Sequence, residues 1–255
     1  MRLITKKLVC AVASVLSLNA VAQQAGDVAI IGLYGDSPDK VAFVALANLP
    51  GGTNITLTDA GWKSSGSFRS GENRLDWTVP PAGIKAGTVV SLDFSGISNN
   101  GDQMTIFTED DLNQTLLFAV NNYGSKWQSN ATNDANSALP TGLINGSTAV
   151  ALNELDNYAY SGITTGSKAE LLAAIANKNQ WTGSNSSFPV WPTAFIVTDA
   201  ADPDDTNPNP IPATATYSGT ADGSAGVWAG SSPNFAVNSL RLVRSGSNLS
   251  LQFYY

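Results

Sequence analysis

Val28-Ala29-Ile30-Ile31-Gly32-Leu33-Tyr34 is followed by the turn formers Gly35-Asp36-Ser37-Pro38-Asp39 and then by Val41-Ala42-Phe43-Val44-Ala45-Leu46. A second turn-rich stretch, Pro50-Gly51-Gly52-Thr53-Asn54, leads into the alternating Ile55-Thr56-Leu57-Thr58-Asp59. These three apolar runs decide the fold class. Each is short, rich in β-branched and aromatic residues, and bounded by residues that stop regular structure, which is the pattern of strands. The same rhythm continues at Leu75–Val79, Val89–Phe94, Met104–Phe107, Leu116–Val120 and Ala149–Leu152. Many short strands separated by Gly, Asn, Ser and Pro predict an all-β sandwich or barrel, and the sandwich is the reading taken.

Three segments depart from this rhythm. Ser167-Lys168-Ala169-Glu170 is a capping box, and Leu171, Leu172 and Ile175 follow as one apolar stripe. With Asn177 as its stop, the stretch predicts one short helix near 167–177 on the sandwich edge. From 199 to 212, Asp199, Asp202, Asp204 and Asp205 are interleaved with Pro203, Pro208, Pro210 and Pro212, which excludes helix and central strand. Leu240–Arg244, a turn at 245–248 and Leu249–Tyr255 predict a C-terminal hairpin.

Residues 1–22 have the form of a secretory signal peptide. Arg2, Lys6 and Lys7 precede an apolar stretch, and Ala20-Val21-Ala22 supplies the small residues that signal peptidase requires. The expected mature chain is therefore a single secreted domain, 23–255, located outside the cell or in a periplasm. It lacks a second apolar run of membrane-spanning length, so no membrane insertion is expected. The sequence holds no His and one Cys, and that Cys10 falls in the signal peptide. Histidine- and thiol-based catalysis, structural zinc and disulfides are thereby excluded from the mature domain. Of the 13 basic residues, removal of Arg2, Lys6 and Lys7 leaves 10 against 20 acidic ones, a net charge of −10. Such a surface does not suit nucleic-acid phosphate or anionic lipid.

A further set of short motifs recurs in order: Ala25-Gly26-Asp27, Phe43-Val44, Ile55-Thr56-Leu57-Thr58-Asp59-Ala60-Gly61-Trp62, Gly71-Glu72, Ala86-Gly87-Thr88-Val89-Val90, Gly101-Asp102-Gln103, Leu139-Pro140-Thr141-Gly142-Leu143, Thr165-Gly166 and Trp181. With these, the chain from Ala25 to about Trp181 resembles an exported bacterial domain of unknown function. Members of that family look like lamin-tail or immunoglobulin-like β-sandwich modules of extracellular proteins. The resemblance implies a fold and an extracellular location, and carries no catalytic residues.

The candidate ligand-binding residues are Asp59, Trp62, Glu72, Trp77 and Trp127. Trp62 could offer a flat face to a sugar ring while Asp59 accepts hydroxyl hydrogen bonds; equally, Trp62 could cap the core and Asp59 take loop amides. Glu72 and Asp76 with Trp77 could form an acid pair beside an aromatic, with Asp102 a further acid of the hydrolase alternative; glycoside hydrolysis needs two carboxylates about 5–9 Å apart, a distance that sequence does not supply. Trp127 lies in a polar context, Ser125-Lys126-Trp127-Gln128, where aromatics mark recognition surfaces. Asp199, Asp202, Asp204 and Asp205 offer the oxygen ligands that calcium prefers, although without EF-hand spacing. The leading expectation is a non-catalytic secreted module that binds a glycan or protein surface through its end loops. A carboxylate-based, calcium-dependent hydrolase and a matrix component that self-associates through edge strands are the alternatives.

Overall fold

The computed structural model describes residues 23–109 and 114–200, together with the strand backbones at 216–218, 226–229, 236–237, 239–245 and 248–254. The expected signal peptide lies outside the described residues. Strands account for 40% of the chain and helix for 6%, so the fold is all-β and sandwich-like.

In chain order the strands are β1 (Val28–Tyr34), β2 (Lys40–Ala45), β3 (Asn54–Thr58), β4 (Trp62–Lys63), β5 (Ser67–Phe68), β6 (Arg74–Thr78), β7 (Val89–Asp93), β8 (Gln103–Glu109) and β9 (Gln114–Asn121). They continue with β10 (Ala149–Ala151), β11 (Asn157–Tyr160), β12 (Thr165–Gly166), β13 (Trp181–Ser184) and β14 (Ile196–Val197), with helix α1 (Lys168–Ile175) between β12 and β13. One five-stranded sheet has the order β13-β11-β1-β2-β7 and the other β10-β9-β8-β3-β6. Pairing within both is antiparallel except for β10 on β9. One core joins the two sheets, with Ile30, Phe43, Leu57, Met104 and Phe118 fully buried. Each such side chain contributes about 1.5–3 kcal/mol on burial.

Local residue choice explains the exposure pattern. In the edge strand β6, Arg74, Asp76 and Thr78 face solvent while Leu75 and Trp77 turn toward the core, the period-2 alternation of a half-covered sheet. In contrast, β1 is buried along its whole length, because it is covered on both faces. Its pairing with β2 skips Ile31, a one-residue bulge. The strand β11 was not expected from its sequence. Asn157-Tyr158-Ala159-Tyr160 follows a polar stretch and is too short to show a period, yet it pairs with both β1 and β13 and is entirely buried.

The helix forms as its capping box predicts. Ser167 is the N-cap, its hydroxyl accepting from the Glu170 amide while the Glu170 carboxylate accepts from the Ser167 amide. Its location corrects the expectation of an edge: α1 contacts β1, the middle strand of its sheet, and buries Leu171 and Ile175 in the shared core. A central strand exposes more apolar surface to a helix than an edge strand does. Lys168 adds an ion pair to Asp27 at the start of β1.

Contacts divide the chain into Met1–Ala201 and Asp202–Tyr255, where a single domain over 23–255 was expected. The division falls within the Asp/Pro tract, whose prolines cannot donate to a sheet ladder. The second unit contains an antiparallel sheet of β15 (Thr216–Ser218), β16 (Gly226–Ala229) and β17 (Ala236–Val237). It also contains the expected C-terminal hairpin, β18 (Ser239–Ser245) with β19 (Asn248–Tyr254). Ser245 pairs with Asn248, the two ends of the expected turn.

After β13 the chain crosses back over β1. The Trp191 ring packs against Gly32 and lies 4.2 Å from the Tyr34 ring, and the Tyr34 hydroxyl donates to the Pro189 carbonyl. A Cβ at position 32 would sit 2.2 Å from the indole, so only glycine fits beneath it. Gly32→Ala is expected to lower stability by about 1–3 kcal/mol in urea unfolding, the usual range for overpacking. In a Trp191→Ala background the same change should have little effect; an equal loss there would show that the indole is not the obstacle.

Candidate functional site

Asp59 follows the last residue of β3, and Asp102 and Gln103 open β8, the neighbouring strand. The turn after β5 brings Glu72 to the same end of the sheet. Asp59, Asp102 and Gln103 are all buried, each with at most 5% of its surface exposed. Backbone donors hold the three acids. Asp59 accepts from the Asn73 amide at 2.6 Å and from Asn73 Nδ2 at 2.8 Å. Asp102 accepts from the amides of Ser98 and Gln103, both at 2.8 Å. Glu72 takes the Arg69 guanidinium at 2.7 Å and the Gly61 amide at 3.2 Å.

Between these acids lies the Gln103 side chain. Its Nε2 approaches the Asp59 carbonyl, Asp102 Oδ1 at 2.9 Å, the Asp134 carbonyl at 2.9 Å and Glu72 Oε2 at 3.4 Å. Burial raises the pKa values of Asp59 and Glu72, against the lowering effect of their hydrogen bonds to Asn73 and Arg69. Burial, with further help from the charges of Asp59 and Glu72, pushes Asp102 up to about 8. The mutual effect of these charges places the three carboxyls in one electrostatic cluster, with Arg69 as the cation bonded to it.

Trp62 forms the wall beside this cluster. It is buried, packs edge-on against Phe68 with centroids 4.8 Å apart, and its Nε1 donates to Thr141 Oγ1 at 3.2 Å. Its backbone clasps the long connection 122–148: Trp62 N donates to Ser137 Oγ, and its carbonyl accepts from the amides of Ala131 and Ala138. Gly61 permits that approach, since a Cβ there would stand 2.4 Å from the Asn136 carbonyl. Of the two roles open to Asp59 and Trp62 from sequence, the geometry fits the wall of the core and the acceptor of loop amides.

Glu72 and Asp76 do not meet across an open groove. Asp76 points outward from β6, where Thr56 and Arg74 bind it and hold its carboxyl below its ordinary pKa. Trp77 turns inward onto Phe43, with ring centroids 5.6 Å apart. On a strand, Asp76 and Trp77 face opposite sides, so Trp77 does not stand beside Asp76 as an aromatic wall for the acid pair.

Trp127 is placed differently. Half-buried, it rests on a small apolar cluster of Ala119, Leu143 and Ala149, and its Nε1 donates to Asn145 Oδ1 at 2.9 Å. Asn145 is on the rim of a cleft of about 490 Å³ lined by Ser125, Asn145, Gly146, Ala173, Asn177 and Lys178. The C-terminal end of α1 thus faces the loop that precedes β10. Of the other tryptophans, Trp181 is buried with Nε1 bonded to the Ile175 carbonyl, and Trp191 covers Gly32. Asp199 accepts from the Lys168 amide at the start of α1, at 2.6 Å. Asp202, Asp204 and Asp205 lie outside the described residues. Among the described residues, no group of three or more Asp, Glu, His or Cys side chains is arranged to hold a metal ion.

No protein-family model matches the chain, and no curated protein or solved structure shows significant similarity to it. Asp59, Gly61, Glu72, Asp102 and Gln103, distant in sequence, meet at the acid cluster. Candidate residues taken from sequence missed Gln103, Arg69, Asn73, Ser137 and Asn145. Only the Gly101-Asp102-Gln103 motif could have pointed to the first of them.

A proton on Asp102 is retained in the native state to about pH 8 but leaves the unfolded chain near its ordinary value of 3.8. The unfolded state thus binds fewer protons between these values, and stability falls as pH rises through that window. In buffer free of divalent cations, Tm is expected to fall between about pH 5 and pH 8 and to level off above the pKa of Asp102. Asp102→Asn should flatten most of that slope. A Tm that rises over the same range would contradict a buried, protonated Asp102.

Proposed function

We propose that this protein is a secreted, non-catalytic β-sandwich module that binds a neutral glycan on an extracellular surface, in the cleft beside Trp127. The single observation that carries the reading is the company this indole keeps. The half-buried ring donates to Asn145, and Asn145 in turn lines a concavity with a hydroxyl (Ser125), a second amide (Asn177), one ammonium (Lys178) and the apolar side chains of Val150, Ala151, Ala173 and Ala176. Sugars present both apolar C–H faces and hydroxyl groups, and a site of one aromatic body and a few amides meets both needs. The amides donate and accept, so they match hydroxyls without selecting a charge. The acidity of the whole chain disfavours a polyanionic ligand.

In this reading the sandwich is a rigid platform and the connection 122–148 presents the ligand-facing residues. Extracellular location follows from the signal-peptide pattern at 1–22. The lamin-tail-like resemblance agrees with a module of this kind.

A neutral-glycan array, read by retention of the full mature chain, tests the proposal. Trp127→Ala is expected to weaken binding at least about tenfold, equivalent to roughly 1.4 kcal/mol. Asn177→Ala should weaken it less, and circular dichroism should be unchanged in both. Absence of any retained glycan would reject the ligand class. Undiminished retention by Trp127→Ala would place the site elsewhere.

A further inference from the structure

The Gln103 amide is in an unsatisfactory electrostatic position. Its nitrogen carries two hydrogens but faces four oxygens: the carbonyls of Asp59 and Asp134 and the carboxylates of Asp102 and Glu72. Its own Oε1 is buried and has no hydrogen-bond partner. Gln103 is only 1% exposed, so water does not relieve either end from outside. The surrounding charge is also unbalanced. When ionised, Asp59, Glu72 and Asp102 carry three negative charges, and Arg69 returns one. A convergence of four oxygens on one point, two of them from carboxyl groups, is the complement of a cation rather than of an amide.

We propose that this point binds a calcium ion, held by the Asp59 and Asp134 carbonyls, Asp102 Oδ1, Glu72 Oε2 and, after rotation of its amide, Gln103 Oε1. This site has two carboxylates and three neutral oxygens, and so differs from a cluster of three acids. Five protein oxygens leave room for one to three waters in the six to eight positions calcium uses. Ligand distances of 2.3–2.6 Å require the Gln103 side chain to withdraw from the point its nitrogen now occupies, so that Oε1 stands one such distance from the ion while the surrounding oxygens close around it. Magnesium demands a stricter octahedron and keeps more of its water, and backbone carbonyls suit calcium better. Without His, and without thiols among the ligands, softer metals have no foothold.

The ion would tie four chain segments together: the end of β3, the turn holding Glu72, the start of β8 and the connection 122–148 through Asp134. This inference does not depend on a glycan in the Trp127 cleft. It is also distinct from calcium on the 199–205 tract.

Thermal unfolding of the full mature chain decides it, in chelator, in about 1 mM calcium and in equal magnesium, at matched ionic strength. Calcium is expected to raise Tm by about 4 °C over chelator, and magnesium by less than half of that. The shift should disappear in Asp102→Asn and in Glu72→Gln. It should persist in Trp127→Ala and in the combined Asp202→Asn, Asp204→Asn, Asp205→Asn variant. No calcium shift in the wild-type chain overturns the proposal, as does a shift that survives in Asp102→Asn. Should both ligand variants fail to fold, terbium luminescence excited through tryptophan provides the second readout. Terbium emission that calcium displaces, and that Trp62→Phe dims, supports the site beside Trp62. Emission unchanged in Trp62→Phe and lost in the triple tract variant overturns it.

Discussion

Burial of Asp59, Glu72 and Asp102 around one amide is the constraint on which the rest of this structure depends. Buried carboxylates are tolerated only when donors surround them, and here the donors come from distant parts of the chain. Meeting that demand fixes the end of β3 against the start of β8 and brings the turn after β5 onto both. The connection 122–148 is then clasped through Trp62 and Ser137. Polar satisfaction thus gives this long connection a defined path in a region where the chain has no cysteine to staple it. The same demand explains why Gly61 and Gln103 occupy their positions: one allows backbones to touch, and the other reaches the middle of the cluster.

The order imposed there extends to the surface. Trp127 and Asn145 belong to the same connection that Trp62 holds at Ala131, Ser137 and Ala138. Their spacing relative to α1, and so the shape of the cleft, is set by interactions at both ends of the loop. A surface built this way is organised in advance, so the binding proposed for it would cost little ordering entropy. The five tryptophans with described side chains divide by this logic. Trp62, Trp77, Trp181 and Trp191 pack against rings or backbone of the sandwich, while Trp127 rests on a minor apolar cluster at the rim.

Much of the fold was legible in the residues. The strand at Val28–Tyr34 has the bounds its apolar run suggests, and the helix begins where Ser167 and Glu170 require. Both are local signals, carried by side chains a few positions apart. The strand β11 was invisible because four residues show no period, and its neighbours on either side lie far away in sequence. The placement of α1 on β1 rather than on an edge strand was likewise hidden, since its apolar stripe states that a face is buried but not against what. Within the site, Asp59, Trp62 and Glu72 are drawn inward, where they meet loop amides, a ring and a guanidinium. An acid at a strand end reads alike whether it meets solvent or a loop amide.

The sequence by itself determined an all-β chain, a capped helix, a C-terminal hairpin and the absence of histidine chemistry, because those follow from residue type and short-range spacing. Only the tertiary structure decided that Asp76 and Trp77 turn to opposite sides of β6, that Trp62 is buried while Trp127 bonds to Asn145 on the rim of a cleft, and that the Gln103 amide nitrogen lies among four oxygens. Those outcomes depend on contacts across dozens of residues, where burial and the need to satisfy every polar group select one arrangement that no local pattern encodes.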